Sequence, residues 1–323
     1  MTDKKISRSD AEKHTSSGTK NKKTFLKTRD LLFFLFAALG TALFFKPFKD
    51  LLLFSLHEDT YSHIPLIPLI SGYFLYRKRQ AIFSGAKSKN SKKSFLWGIA
   101  LILLGAAPWL TGTYLGTGLG ENDYLSLMVF SSVIFYIGGF VLFYGVDAFK
   151  AGAFPLLFLF FMVPIPGLIL HKIILFLRIG SSDMASGLFK LAGVPFLRDG
   201  FVFHFPGLSI RVARECSGIR SSMALFIVGV IMGQLFLTRC SYKMVLLLAV
   251  VPIAAFKNAL RIATLSILSL YVSPAFMTSG LHRDGGIIFF IIGVYVLWSF
   301  LRLLRRFEKA AVYRRTLPDR FKR

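Results

Sequence analysis

The chain has 323 residues, of which 54% are hydrophobic and 15% aromatic, and its mean hydropathy is +0.60. This composition excludes a soluble globular protein, which could not bury so much apolar surface, and indicates a polytopic helical membrane protein. The net charge of +24 does not point to nucleic acid, because the Lys and Arg residues cluster between apolar runs and at both ends, as topology signals do.

The first half of the chain alternates apolar runs with polar gaps. Residues 1–30 hold nine Lys and Arg with many Ser and Thr, so we expect a disordered basic tail without a cleavable signal. Five apolar runs follow and predict five spans, at residues 31–56 (with a break near Lys46), 64–76, 95–115, 124–146 and 153–164.

Residues 165–215 have a different pattern. Apolar residues at helical spacing with scattered charges predict an amphipathic helix along the membrane interface over Leu168–Leu191. Alternating residues interrupted by Asp199-Gly200 and Pro206-Gly207 predict a hairpin-like extended segment over Phe196–Val212.

Three further spans are predicted at Ser217–Leu237, Met244–Leu270 and Gly285–Leu304, which gives about eight in all. The loop at 77–93 holds seven Lys and Arg and no acid, and it lies on the same side as both basic ends of the chain. The excess of positive charge places both termini in the cytoplasm and the 165–215 segment on the extracytoplasmic side.

The expected fold is therefore all-α, with an interfacial helix and a short extended segment outside the membrane. A single transmembrane domain is expected at 31–304, between basic cytoplasmic tails at 1–30 and 305–323. The two cysteines, Cys216 and Cys240, lie at opposite ends of one predicted span and cannot form a disulfide with each other.

Three reactive residues fall at the extracytoplasmic ends of the last three spans. Cys216 begins one span, Arg261 lies about 25 Å along the next at helical rise, and His282 precedes the last. A thiol, a fixed positive charge and an imidazole are the components of a cysteine acyl-transfer site. The topology that brings them together was fixed by other residues.

The residues after Cys216 support a reactive thiol. A cysteine at a helix N-terminus is exposed to positive potential, which favours the thiolate, and Arg220 would share its helix face. Gly218 would let a substrate backbone approach. The alternative is a buried structural cysteine, which is the interpretation that we give Cys240.

Arg261 is costly inside a span and therefore indicates a partner or a water-filled cavity. Asn258 is placed to orient it by a hydrogen bond, and Lys257, one turn back, needs a partner of its own. The alternative is an interfacial arginine, or one paired with Asp284 or Glu215.

His282 alone is an ordinary interfacial histidine, but beside a thiolate it can protonate a leaving amine and activate the second nucleophile. The remaining histidines lack metal-ligand spacing such as HExxH, and no phosphate-binding or dinucleotide fingerprint is present. We expect no metal and no cofactor.

At these residues the chain resembles the exosortase family of bacterial membrane cysteine transpeptidases. The resemblance covers most of residues 50–305. It rests on Tyr61-Ser62-His63, Phe154-Pro155 with Pro164-Ile165-Pro166, Cys216-Ser217-Gly218-Ile219-Arg220, Asn258-Ala259-Leu260-Arg261, and His282 with Gly286.

The resemblance implies a catalytic triad of Cys216, Arg261 and His282 in an enzyme of the bacterial inner membrane. It implies substrates that are exported proteins with a C-terminal sorting signal, made of a Pro-Glu-Pro-like motif, one membrane span and a basic end. The enzyme would cleave near the motif through a thioester and pass the protein to an acceptor, in connection with exopolysaccharide and biofilm.

Two other functions remain open from the residues alone. A non-enzymatic transporter or scaffold of polysaccharide export could bind an anionic lipid-linked glycan through Lys257 and Arg261. A serine or aspartyl intramembrane protease would need paired carboxylates or a Ser-His motif within the spans, and the sequence contains neither.

Overall fold

The computed structural model describes residues 17–85, 92–114, 118–277 and 286–316. These residues are mostly helical, as expected, and they divide after Pro166 into two compact units. The expected single domain at 31–304 stays a prediction. The first helix begins at Ser17, inside the segment that we expected to be disordered, and no Gly or Pro interrupts residues 19–39.

The regular elements of the first unit are all helices in the described residues. Two short 3-10 turns, Asp59–Tyr61 and Leu159–Met162, interrupt the path of its helices. The helices are α1 (Ser17–Leu43), α2 (Phe45–His57), α3 (Leu66–Gly85), α4 (Lys92–Tyr114), α5 (Glu121–Ala151) and α6 (Ala153–Phe158).

The described helices allow five to seven membrane spans rather than the eight expected. Five are long and apolar enough on their own: 92–112, 121–151, 219–236, 240–271 and 286–311. Two bent pairs reach this standard only together, Thr28–Leu43 with Phe45–His57 (bent by 67°) and Ala153–Met162 with Gly167–Leu191. The missing span is the one expected at 64–76, because Arg77, Lys78 and Arg79 follow it within the same helix.

Glycines allow α4 and α5 to pack closely. A Cβ at Gly98, Gly105 or Gly138 would lie 2.7, 2.6 or 2.7 Å from a backbone atom of the facing helix. Small residues at a contact between membrane helices let the two backbones approach, and van der Waals packing then holds the pair.

Side chains provide hydrogen-bond partners for the backbone carbonyls of Pro164 and Ile165, which follow the 3-10 turn after α6. Tyr61 donates hydrogen bonds to Asn122 Oδ1 (2.9 Å) and the Ile165 carbonyl (3.2 Å), and Asn122 Nδ2 donates to the same carbonyl (2.8 Å). Ser126 donates to the Pro164 carbonyl (2.7 Å). Burial raises the pKa of Tyr61 to about 12, which keeps the phenol protonated as a donor. Irregular backbone in an apolar setting requires such partners.

The described residues of the second unit form four α-helices and a small antiparallel sheet. The strands follow one another in the order β1-β2-β3, with Val202 opposite Arg211 in the second pair. This confirms the extended segment expected at 196–212. The elements are α7 (Gly167–Leu191), β1 (Leu197–Asp199), β2 (Val202–Phe205), β3 (Leu208–Arg211), α8 (Ile219–Phe236), α9 (Cys240–Tyr271) and α10 (Gly286–Thr316).

Two hydrophobic clusters hold this unit together. One joins the sheet to α7 and α9 through residues such as Phe189, Phe203 and Ala259. The other joins α8, α9 and α10 around Leu225, Leu246 and Leu297. The helix expected at 168–191 is therefore present as α7, whereas its position along the membrane interface stays a prediction.

A carboxylate from α10 caps the N-terminus of α9. Glu308 Oε1 accepts hydrogen bonds from the Thr238 amide (3.1 Å), the Thr238 hydroxyl (2.9 Å) and the Arg239 amide (2.7 Å). Arg239, the N-cap residue of α9, makes no side-chain cap of its own. A negative charge at this place satisfies unpaired amides and opposes the positive end of the helix. Glu308 lies in the basic segment expected at 305–323, where α10 continues through it and buries it.

Replacing Glu308 should weaken the second unit. We expect Glu308→Gln to lower the free energy of unfolding by about 1–3 kcal/mol, since a neutral amide oxygen accepts weaker hydrogen bonds than a carboxylate does. Thermal unfolding of the purified protein in detergent measures the effect. Lys309→Ala, at the exposed neighbour, is the matched control, and equal stability of the two variants would contradict the capping role.

Candidate active site

Cys216 lies in a 3-10 turn, Glu215–Ser217, between β3 and α8, and its side chain is partly buried. Helix α8 begins only at Ile219, after Gly218 takes a left-handed conformation. The prediction that Cys216 shares a helix face with Arg220 is therefore wrong, because the break at Gly218 separates the two. Arg220 is exposed in the first turn of α8.

Gly218 is the residue that its position requires. Its φ is +72°, and a Cβ would lie 2.7 Å from Asn258 Oδ1 and 2.9 Å from Asn258 Cγ. Both the backbone conformation and the space exclude a larger side chain. We expected this glycine to admit a substrate, whereas the group that approaches it in the structure is the amide of Asn258.

A single methyl group should disturb this turn. We expect Gly218→Ala to lower the free energy of unfolding by about 1–3 kcal/mol, because the left-handed residue is strained and Asn258 must move. Gly187→Ala is the control, since nothing lies within 4 Å of a Cβ there and alanine favours a helix. Thermal unfolding should therefore shift in opposite directions in the two variants, and a stabilised Gly218→Ala would contradict the geometry.

Asn258 connects the cysteine turn to two helices. Its side chain is buried on α9, and Nδ2 donates hydrogen bonds to the Cys216 carbonyl (3.0 Å) and to Ser181 Oγ on α7 (3.1 Å). We expected Asn258 to orient Arg261, but these bonds give it a direct role toward Cys216. A buried amide with satisfied donors fixes the position of what it binds.

Cys216 and Arg261 face the same cavity. The cavity has an empty volume of about 400 Å³, including the part open to the surroundings. Asn258, Arg261, Ile262, Leu265 and Ser266 line it from α9, and Ile210, Arg211, Val212 and Cys216 line it from β3 and the turn that follows. The structure thus brings together two of the three predicted catalytic side chains, with Asn258 beside them.

Lys257 has a partner that the sequence did not predict. The side chain is 2% exposed, and its Nζ donates a hydrogen bond to Ser221 Oγ on α8. Ser221 in turn donates to the Gly218 carbonyl (3.1 Å). This chain of bonds extends from α9 to the turn that carries Cys216, and so satisfies a charge that would otherwise be costly inside a span.

Arg178 is a second residue whose role the sequence did not predict. In the sequence it is one of the scattered charges of the helix expected over Leu168–Leu191. Its guanidinium donates to the Val212 carbonyl from Nε (3.2 Å) and NH2 (2.7 Å), and lies 3.9 Å from the centre of the Phe201 ring. It therefore fixes the backbone at the cavity wall. Spacing along α7 contains no signal for this contact.

His282 lies outside the described residues, which end at Met277 before it and resume at Gly286. Its proximity to Cys216 and its role stay predictions. Asp284 and the side chain of Glu215, the two acids considered as partners for Arg261, also lie outside the described parts. Both cysteines are free, as expected, with Cys240 exposed.

Comparison with known proteins gives one match. A family model described as transmembrane exosortase matches residues 55–299, about three quarters of the chain. The match includes Cys216, Asn258, Arg261 and His282. No curated protein and no solved structure matches the chain.

Proposed function

The chain belongs to the transmembrane exosortase family, and we propose that it is a cysteine transpeptidase that cleaves C-terminal sorting signals of exported proteins. Family membership and the described helices make it a multi-pass membrane protein with a transpeptidase-like role. The observation that supports cysteine-dependent cleavage is the cavity lined by both Cys216 and Arg261. A nucleophile and a cation facing one space can act on the same carbonyl group.

The proposed reaction has two acyl-transfer steps. The Cys216 thiolate attacks the scissile carbonyl, and the negative charge that develops on the carbonyl oxygen is stabilised by Arg261. The C–N bond then breaks, and His282 gives a proton to the leaving amine. An acceptor amine or water, deprotonated by His282, attacks the thioester and releases Cys216.

The surroundings of the pair suit this chemistry. Asn258 holds the Cys216 carbonyl, and the left-handed Gly218 separates the cysteine turn from α8. Apolar Ile210, Ile262 and Leu265 line the cavity beside Arg261, and apolar surroundings strengthen the interaction between a guanidinium and an oxyanion.

The substrate and the cellular setting are proposed from the family. The signal would contain a Pro-Glu-Pro-like motif, a membrane span and a basic end, and transfer would serve exopolysaccharide or biofilm. We place the protein in the bacterial inner membrane with cytoplasmic termini and an extracytoplasmic site. The distribution of Lys and Arg supports this orientation.

The alternative of a glycan-binding transporter or scaffold receives less support. It needs Lys257 and Arg261 to contact an anionic headgroup together. Lys257 is almost entirely buried and its Nζ is bonded to Ser221, so only Arg261 of the two lines the cavity. A ligand could reach Lys257 only after the helices separate.

A serine nucleophile also receives less support, although the structure places Ser221 beside Lys257. Ser–Lys pairs catalyse hydrolysis when the amine accepts the hydroxyl proton. Here Ser221 donates that proton to the Gly218 carbonyl and accepts a hydrogen bond from Lys257. Ser221 is also absent from the cavity lining.

Selective labelling tests the nucleophile. A peptide of the sorting signal that carries a thiol-reactive group at the scissile position should modify Cys216 and leave Cys240 unmodified, although Cys240 is the more exposed thiol. Mass spectrometry of the protein identifies the site. Cys216→Ala should abolish cleavage of a co-expressed substrate and Cys240→Ala should not; a substrate still shortened by Cys216→Ala would refute the mechanism.

Replacing the cation tests the oxyanion role. We expect Arg261→Lys to lower kcat about 10²-fold or more with little change in KM, since an oxyanion interaction forms only in the transition state. Cleavage of a synthetic peptide by purified enzyme separates the two constants. Arg302→Lys, an exposed position on α10, is the control. A higher KM with an unchanged kcat would assign Arg261 to substrate binding instead.

A further inference from the structure

Strand β3 is an edge strand that lies beside the candidate active site. It pairs with β2 on one side, and within the described residues no strand pairs with its other side. Ile210 and Arg211 of β3, with the following Val212, form part of the cavity wall, and Cys216 follows four residues after Val212. The opposite edge strand, β1, contributes nothing to that wall.

The pairing fixes which backbone groups of β3 are directed to its free edge. The Val212 amide donates to the Phe201 carbonyl (2.9 Å), so residue 212 faces the neighbouring strand. In an antiparallel ladder this direction alternates along the strand. Ile210 therefore also faces β2, and the N–H and C=O groups of Ser209 and Arg211 face outward.

The outward groups are available in the described part of the chain. Neither Ser209 nor Arg211 makes a backbone hydrogen bond to another described element, and both side chains are exposed. Unpaired groups on an edge strand are a ready template for another strand. Proteins that read extended peptides use this template, with backbone bonds giving affinity and neighbouring pockets giving specificity.

We propose that the free edge of β3 binds the substrate peptide as an added strand and so leads the scissile bond into the cavity at Cys216. This inference rests on the proposed function, because it names how that same site holds its substrate. The occupant is an extended segment of the exported protein next to the cleavage point. The continuity of the edge with the cavity wall selects this occupant.

The proposed binding has a period of two along the peptide. Residues that face β3 use their N–H and C=O groups, while the residues between them direct those groups to solvent. Proline lacks an N–H, so it fits an added strand only at peptide positions whose backbone groups are directed away from β3. A Pro-x-Pro segment meets this condition, since its two prolines are two residues apart and leave the central residue to face β3.

Peptides methylated at single backbone nitrogens test the proposal. Each peptide of the series carries one N-methyl group near the cleavage point, and purified full-length enzyme cleaves it in detergent. We expect KM to rise about 10-fold or more at alternate positions and less than about 2-fold between them, because a methyl group removes the donor and blocks the edge. A uniform loss, or a pattern without alternation, would overturn the proposal.

A matched pair of variants tests the enzyme side. Ser209→Pro removes an outward N–H without removing a bond between β2 and β3. Ser209→Ala is the reference, because it removes only the hydroxyl, which is bonded to His204 Nδ1 (2.9 Å). Relative to this reference we expect KM for the unmethylated peptide to rise about 5-fold or more and kcat to change less than 2-fold. An unchanged KM would contradict strand addition at this edge.

Two further measurements distinguish a failure of the proposed function from a failure of strand addition alone. The rate at which a small maleimide alkylates Cys216, measured with Cys240→Ala as background, reports whether the Ser209 variants keep the site folded. If the Cys216→Ala enzyme still cleaves the peptide, the proposed function fails. If cleavage depends on Cys216 but the methylated series lacks alternation, only strand addition fails.

Discussion

The hydrogen bond from Asn258 to the Cys216 carbonyl is the interaction on which the site depends. It connects a turn that lies outside any helix to the long helix that bears Arg261. The contact is possible only because Gly218 has no side chain where the amide lies. Ser181 Oγ accepts a second hydrogen bond from the same amide group, so α7 is connected to the turn as well. One small polar group thus helps to hold the candidate nucleophile and a cation from separate elements beside the same cavity.

The sequence predicted the parts of this arrangement better than the contacts between them. Apolar runs located the last three helices, and alternation with Gly-containing turns located the sheet, because burial acts on periodic patterns. The span at 64–76 is not confirmed, because three bases follow the apolar run within the same helix. The prediction that Cys216 and Arg220 share a helix face is wrong, because a left-handed glycine interrupts the helix between them. The sequence shows the glycine but not its φ angle.

Other features of the site have no periodic signal at all. Two hydrogen bonds join residues that are distant in the sequence. Lys257 bonds to Ser221, 36 positions away, and Arg178 bonds to the Val212 carbonyl, 34 positions away. Only the packing of helices determines which distant hydroxyl or carbonyl meets a buried cation. A charge within a span indicates that a partner exists, because solvation by lipid is too weak, but it does not identify the partner.

The cap that Glu308 provides has a consequence for the far end of α9. Helix α9 carries Asn258 and Arg261, yet its first amides are held by a residue near the end of the chain. Because Asn258 and Arg261 belong to the same helix as these amides, the contact with α10 contributes to the position of both candidate site residues. A C-terminal truncation that removes Glu308 would therefore release the first amides of α9, although no described residue from Glu308 onward lines the cavity.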